Sequence, residues 1–180
     1  MIIEETKYQR NGHELILRNP TEDEGQMLLD YLKATSLETK FLVREPEEIT
    51  LTLEREKEFI RKQNDSNEDL MLVGFLDGQY VGNCSYTGNS LMRYRHRASM
   101  AIALYLKYTG LGIGTIMIEK MLAVAKENGI EQMELEVVAD NQNAIALYKK
   151  MGFEIFGTFP NNMKYKDGTY ADVYWMMKKL

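Results

Sequence analysis

Ala98–Leu106 reads A-S-M-A-I-A-L-Y-L, Lys107–Gly114 reads K-Y-T-G-L-G-I-G, and Thr115–Glu127 reads T-I-M-I-E-K-M-L-A-V-A-K-E. The first segment is a continuous small and apolar run, the pattern of a strand covered on both faces. The second is a turn with glycines at 110, 112 and 114. The third continues a helix in which Ile113, Ile116, Met117, Met121, Leu122, Val124 and Ala125 recur mostly at three- and four-residue spacing, so one face is apolar. A strand, a glycine turn and a helix in this order aim unpaired backbone N–H groups outward from the helix start. Together with the helix dipole, these groups make an anion site, most often one for phosphate. Glycines remove side chains from the path of the ligand.

The spacing separates this turn from two better-known phosphate loops. G-x-x-x-x-G-K-[ST] requires a Lys that does not follow these glycines, and G-x-G-x-x-G requires a Gly where Thr115 stands. A ligand-free helix cap is the plainer reading, but three alternating glycines exceed what a cap needs.

About thirty residues downstream, Val137–Phe153 reads V-V-A-D-N-Q-N-A-I-A-L-Y-K-K-M-G-F. With the turn Thr109-Gly110-Leu111-Gly112-Ile113-Gly114, this resembles the GNAT superfamily of N-acetyltransferases, which hold acetyl-coenzyme A at a [QR]-x-x-G-x-[GA] turn. The resemblance runs from about Leu15 to the C-terminus and is best between Ala98 and Phe159. One departure is Thr109, where the family carries Gln or Arg. Thr109 cannot supply a positive charge, so backbone donors from about Leu111 to Thr115 are expected to carry the diphosphate. The resemblance further implies that the strand leading into the turn splays from its neighbour at a bulge. Backbone groups of Leu104 and Leu106 would then run along the pantetheine arm. It implies Tyr148 as general acid for the leaving thiolate, a phenol of ordinary pKa about 10 being protonated at neutral pH. Asn141 would contact the pantetheine arm or order its loop. The acceptor amine needs a base, and Glu134, Glu136, Asp140, Glu45 and a water chain to backbone carbonyls all stay open for that role. Glu45 and Glu48 border the expected acceptor side. The acceptor is a small-molecule amine or a protein N-terminus. A non-catalytic acyl-coenzyme A sensor or partner-binding module is the alternative.

Composition agrees with one globular domain spanning residues 1–180. Charged residues make up 27% and hydrophobic ones 44%, and the net charge of −5 argues against nucleic acid and suits a cationic substrate. A single cysteine, Cys84, excludes an internal disulfide and, lacking a partner base, reads as inert core. His13 and His96 have no cysteine pattern beside them, so no metal site is expected. No apolar run nears the roughly 20 residues of a membrane span. The opening M-I-I-E-E-T-K shows no secretory pattern, so a cytoplasmic location is expected.

The remaining chain predicts an α/β fold: a mixed, largely antiparallel sheet, splayed at the centre by the resemblance, with helices on both faces. Residues 1–12 read as a mixed lead-in and 13–18 as a strand. Thr21 and Glu24 form a capping box ahead of a helix ending near 34–36. A second helix covers about 52–63. Asp77-Gly78 joins strands 70–76 and 79–87. Arg93–Arg97 is a basic surface loop, and 132–138 is a strand with Met133, Leu135 and Val137 on one face. Asp140 or Asn141 caps a short helix ending at Met151. Strands 153–159 and 169–178 pair as a hairpin. Most of Tyr165, Tyr170, Asp172, Tyr174 and Trp175 are read as core or as a homodimer surface.

Overall fold

The computed structural model describes residues 1–10 and 12–180. Among them, eight strands form one sheet in the order β1-β2-β3-β4-β5-β6-β8-β7. The strands are β1 (Thr6–Arg10), β2 (His13–Arg18), β3 (Leu70–Leu76), β4 (Gln79–Thr87), β5 (Arg97–Leu104), β6 (Gln132–Val138), β7 (Glu154–Lys164) and β8 (Tyr170–Lys179). Helices α1 (Gly25–Glu38) and α2 (Leu53–Asp65) cover one face, packing Leu28 and Ile60 on Met71 and Val73 of β3. Helices α3 (Ile113–Glu127) and α4 (Gln142–Lys150) belong to the other face, where Met117, Met121 and Ile145 share a core with Leu70, Leu72 and Met133. β3 is thus buried on both sides, as its unbroken L-M-L-V run requires.

Local chemistry fixes the connections. The Glu24 carboxylate accepts the Thr21 backbone N–H at 2.8 Å, which settles the entry to α1. Asp77 and Gly78 both take positive φ, 49° and 78°, the pair of conformations that a two-residue hairpin needs. The first four positions of α3 are Gly114 and three β-branched residues, Ile113, Thr115 and Ile116, none of them a strong helix former. Burying each of its Ile, Met and Leu side chains contributes about 1.5–3 kcal/mol, so packing rather than propensity holds it.

Four expectations need correction. Residues 6–10 are not lead-in but an edge strand, paired with β2 from Thr6–Leu17 to Arg10–His13. α1 runs on to Glu38 because Tyr31 and Thr35 stay buried beyond its middle. β7 extends to Lys164, past an irregularity between Phe159 and Met163. Finally, β5 is not covered on both faces. Ala98 and Met100 are buried against the α3 side, while Ser99 and Ala101 on the opposite face are exposed.

That open face marks the parting of the sheet. β5 and β6 are parallel neighbours for three pairs, Arg97–Gln132, Ala98–Met133 and Ser99–Glu134. Both strands then continue separately, to Leu104 and Val138. The register of β5 with β4 is regular throughout. The irregularity lies one strand away, in β4 at Val81, where the pairing shifts between Gly74 and Phe75.

Candidate active site

The gap between β5 and β6 opens into a cleft of about 900 Å³. Its walls are the ends of these two strands, the glycine turn, α4, the segment after α1, and Asn162 and Met163 of β7. A volume in this range accommodates a cofactor-sized ligand.

The turn forms one end. Gly110 and Gly112 take φ of 74° and 78°, and Gly112 is the left-handed N-cap of α3. Gly114 serves packing: a Cβ there would stand 3.2 Å from Leu147 Cδ2 of α4. Ile116 makes the first bond of the helix, to Gly112 at 3.4 Å. No backbone N–H from Gly110 to Thr115 donates to an acceptor among the described residues. Thr109, Gly110, Gly112, Gly114 and Thr115 line the cleft, whereas Leu111 is half exposed beside it and Ile113 is buried in the core. The Thr109 hydroxyl turns back to the Leu106 carbonyl at 2.8 Å.

β5 presents its backbone to the gap. Tyr105 N–H donates to Val81 at 3.0 Å, which sends the odd-numbered amides of β5 towards β4. The N–H and C=O groups of Ile102 and Leu104 therefore turn towards β6, from which the strand has parted. Leu106 differs. Its N–H is taken by the Glu38 carboxylate at 2.7 Å and its carbonyl by Thr109, so both of its backbone groups are engaged within the protein.

Tyr148 lies on α4, which Asn141 starts by accepting the Ala144 N–H at 3.2 Å. Both residues line the cleft. Tyr148 is 7% exposed and its ring packs on Phe153 with centroids 5.9 Å apart. Burial alone pushes its pKa up to about 12. Among the described residues, no hydrogen-bond partner contributes to the state of its hydroxyl. It is a protonated donor facing a cavity.

The carboxylates sort themselves by partner. Glu134 is held by Arg97 at 3.0 Å and Gln132 at 2.7 Å. Glu45 faces Lys166 at 3.3 Å and is not among the residues lining the cleft. Glu48 is spent on the Glu45 N–H. Asp140 stands 4.0 Å from Lys40. Glu136 lines the cleft and accepts from Trp175 Nε1 at 3.0 Å, with no cation beside it among the described residues. Glu38, which sequence reasoning missed, also lines the cleft. Only its distance from the motifs hid it: it lies 68 positions before Leu106, the residue it holds. Cys84 is buried in the core, its thiol pushed up to about 12 by burial. The basic 93–97 segment sits on the surface except that Arg97 enters β5. Among the described residues, no group of three or more His, Cys, Asp or Glu is placed to hold a metal, and no helix is long and apolar enough to cross a membrane.

Known proteins resemble this chain in sequence and in fold. The chain is 32% identical over 110 residues to the L-amino acid N-acetyltransferase AaaT of Escherichia coli, covering 59% of this chain and 66% of that protein. Four further curated relatives are spanned over 20–48% of their length. An acetyltransferase of the GNAT family from Streptococcus pneumoniae superposes with a TM-score of 0.87 at 31% identity, over 92% of this chain and 99% of that one. A ribosomal-protein-alanine N-acetyltransferase from Brucella melitensis gives 0.80 at 25% identity, over 91% and 99%. Residues 29–153, which hold most of α1, the parted strands, the glycine turn and Tyr148, match the model of the acetyltransferase (GNAT) family, and the chain belongs to it.

Proposed function

We propose that the protein transfers an acetyl group from acetyl-coenzyme A to a primary amine. The observation that carries this reading is the meeting, in one cleft, of unpaired amides opening α3 with the unpartnered phenol of Tyr148. Acetyl-coenzyme A supplies the activated acetyl thioester. The residues present fit it: a diphosphate suits the Gly110–Thr115 amides, and the free backbone edge of Ile102 and Leu104 suits a pantetheine arm. The Leu104 N–H, turned into the gap, is placed to polarise the thioester carbonyl. Tyr148 keeps its proton across the physiological range and gives it to the departing thiolate, whose ordinary pKa of about 8.5 lies well below that of the buried phenol. Donation to a group of lower pKa is uphill at equilibrium. The phenol therefore hydrogen-bonds the sulfur as charge develops, gives up its proton as the thiol leaves, and recovers one from solvent.

The amine arrives from the opposite mouth, between the 39–43 segment and β7. An alkylammonium of ordinary pKa about 10.4 must lose a proton first. Glu136 is the base we favour among the four carboxylates considered from sequence, since it lines the cleft and has no cation to neutralise it. The acceptor is a small-molecule amine or a protein N-terminus; the relatives above are named for an L-amino acid and for ribosomal-protein alanine.

Thiol release from acetyl-coenzyme A across a panel of amino acids, polyamines and alanyl peptides tests the reading. At least one amine should stimulate release, and Tyr148→Phe should lower that rate about 100-fold. Its melting temperature should be little changed, because the hydroxyl bonds to nothing among the described residues. If the protein bound acetyl-coenzyme A yet no amine stimulated release, it would be a binder and not a transferase.

A further inference from the structure

The anion site contains a cation that the sequence motifs do not mark. β1 is the edge strand of the sheet, and Tyr8 within it packs against the core shared with α3. Burial raises the Tyr8 pKa, and the nearby Glu119 carboxylate on α3 adds to the shift. Two residues further along the same face comes Arg10. From Glu119 the helix leads back to Gly112, so β1 runs alongside α3 towards its start. The Arg10 guanidinium lies over Gly112: a Cβ added there would stand 2.6 Å from Nη1 and closer still to Nη2.

This placement is electrostatically incomplete by itself. The start of the 15-residue α3 carries the positive end of the helix dipole. A guanidinium set against it is repelled unless an anion joins them. Among the described residues, no carboxylate lies within 4 Å of Arg10 to supply that charge. The amides of Gly110 to Thr115 are likewise without acceptors. Thr109, at the head of the turn, carries no charge and has its hydroxyl tied to Leu106. We infer that Arg10 contacts the diphosphate of the cofactor, closing from the sheet edge a site whose other wall is the opening of α3. The inference rests on the acetyl-coenzyme A reading above. It gives Gly112 a second reason to be glycine: a side chain would displace the guanidinium as well as strain the turn. A planar fork suits two phosphate oxygens better than a single ammonium would.

Isothermal titration of wild type and Arg10→Gln with three ligands tests it: acetyl-coenzyme A, its 3′-dephospho form, and S-acetylpantetheine, which lacks the diphosphate. Arg10→Gln should bind the first two about tenfold more weakly, the loss expected for a charged hydrogen bond. Its affinity for S-acetylpantetheine should equal that of wild type. Arg10 is exposed, so the ligand-free melting temperature should not move. Equal binding of acetyl-coenzyme A by both proteins would overturn the role of Arg10 while leaving the function intact. So would a loss seen with acetyl-coenzyme A but absent with the dephospho form, which would move the contact to the 3′-phosphate. Failure of wild type to bind acetyl-coenzyme A would overturn the functional reading, and this inference with it.

Discussion

Gly82 shows how a single residue shapes the site from outside it. Its φ is 145°, and an added Cβ would stand 2.7 Å from the Leu104 Cα and nearer still to the Ala103 carbonyl oxygen. Both obstacles are backbone, so no rotamer change relieves them. Next to Gly82, Val81 is the extra residue of the β4 irregularity. The end of β5, whose Leu104 amide faces the cleft, is thus pressed into position by the absence of a side chain. Gly110 offers a contrast, with φ of 74° and open space where its Cβ would go. Gly110→Ala should cost about 1–2 kcal/mol, the left-handed penalty alone. Gly82→Ala should cost at least about 3 kcal/mol, because strain and a backbone collision add. Urea denaturation of the two variants measures the difference, and equal costs would show that β5 does not lean on Gly82. The site's legibility divides along the same line. The turn and Tyr148, which line the cleft, could be singled out from sequence because their signals are contiguous. Arg10, Glu38 and Gly82 could not, because each acts on a residue more than twenty positions away.

Elements were legible where the periodicity is local and the burial one-sided. Met133, Leu135 and Val137 alternate and are buried. Asp77-Gly78 announces its own hairpin, and Asn141 caps α4. T-K-Y-Q-R was not legible as β1, because an edge strand buries little and its partner supplies the order. The open face of β5 was not legible either, since A-S-M-A-I-A-L is apolar whether or not a neighbour covers it. What uncovers it is the parting from β6, a property of two strands together. That parting has a measurable signature. Ala101 and Ala103 amides point to β4, while those of Ile102 and Leu104 point into the gap. Amide hydrogen exchange should therefore alternate along β5, fast at Ile102 and Leu104 and slow at Ala101 and Ala103. Acetyl-coenzyme A should slow the two fast sites. Uniform protection in the ligand-free protein would mean that the strands do not part in solution.

At the scale of the whole molecule, the buried acids couple stability to alkaline pH. Tyr31 and Cys84 are 1% and 0% exposed, and Tyr148 is 7% exposed. Burial raises all three pKa values, Cys84 and Tyr148 to about 12 and Tyr31 further. In the unfolded chain these groups titrate near 9 for the thiol and 10 for the phenols. The unfolded state therefore loses its protons first as pH rises. Folding stability from this source is intact below about pH 9 and is lost as pH climbs towards the folded values. Each group contributes a slope of about 1.4 kcal/mol per pH unit once its unfolded form has ionised, so these three give about 4, and Tyr80 and Tyr86, raised by the same burial, add to it. Against a total stability of about 5–15 kcal/mol, that slope unfolds the protein within two or three pH units. Melting temperature should accordingly hold steady to about pH 9 and fall steeply between 10 and 12. Tyr148→Phe removes one of these groups and should make the fall shallower. A melting temperature level up to pH 11.5 in wild type would mean that these side chains reach water in the folded protein. In that case the phenol beside the cleft would ionise near its ordinary value.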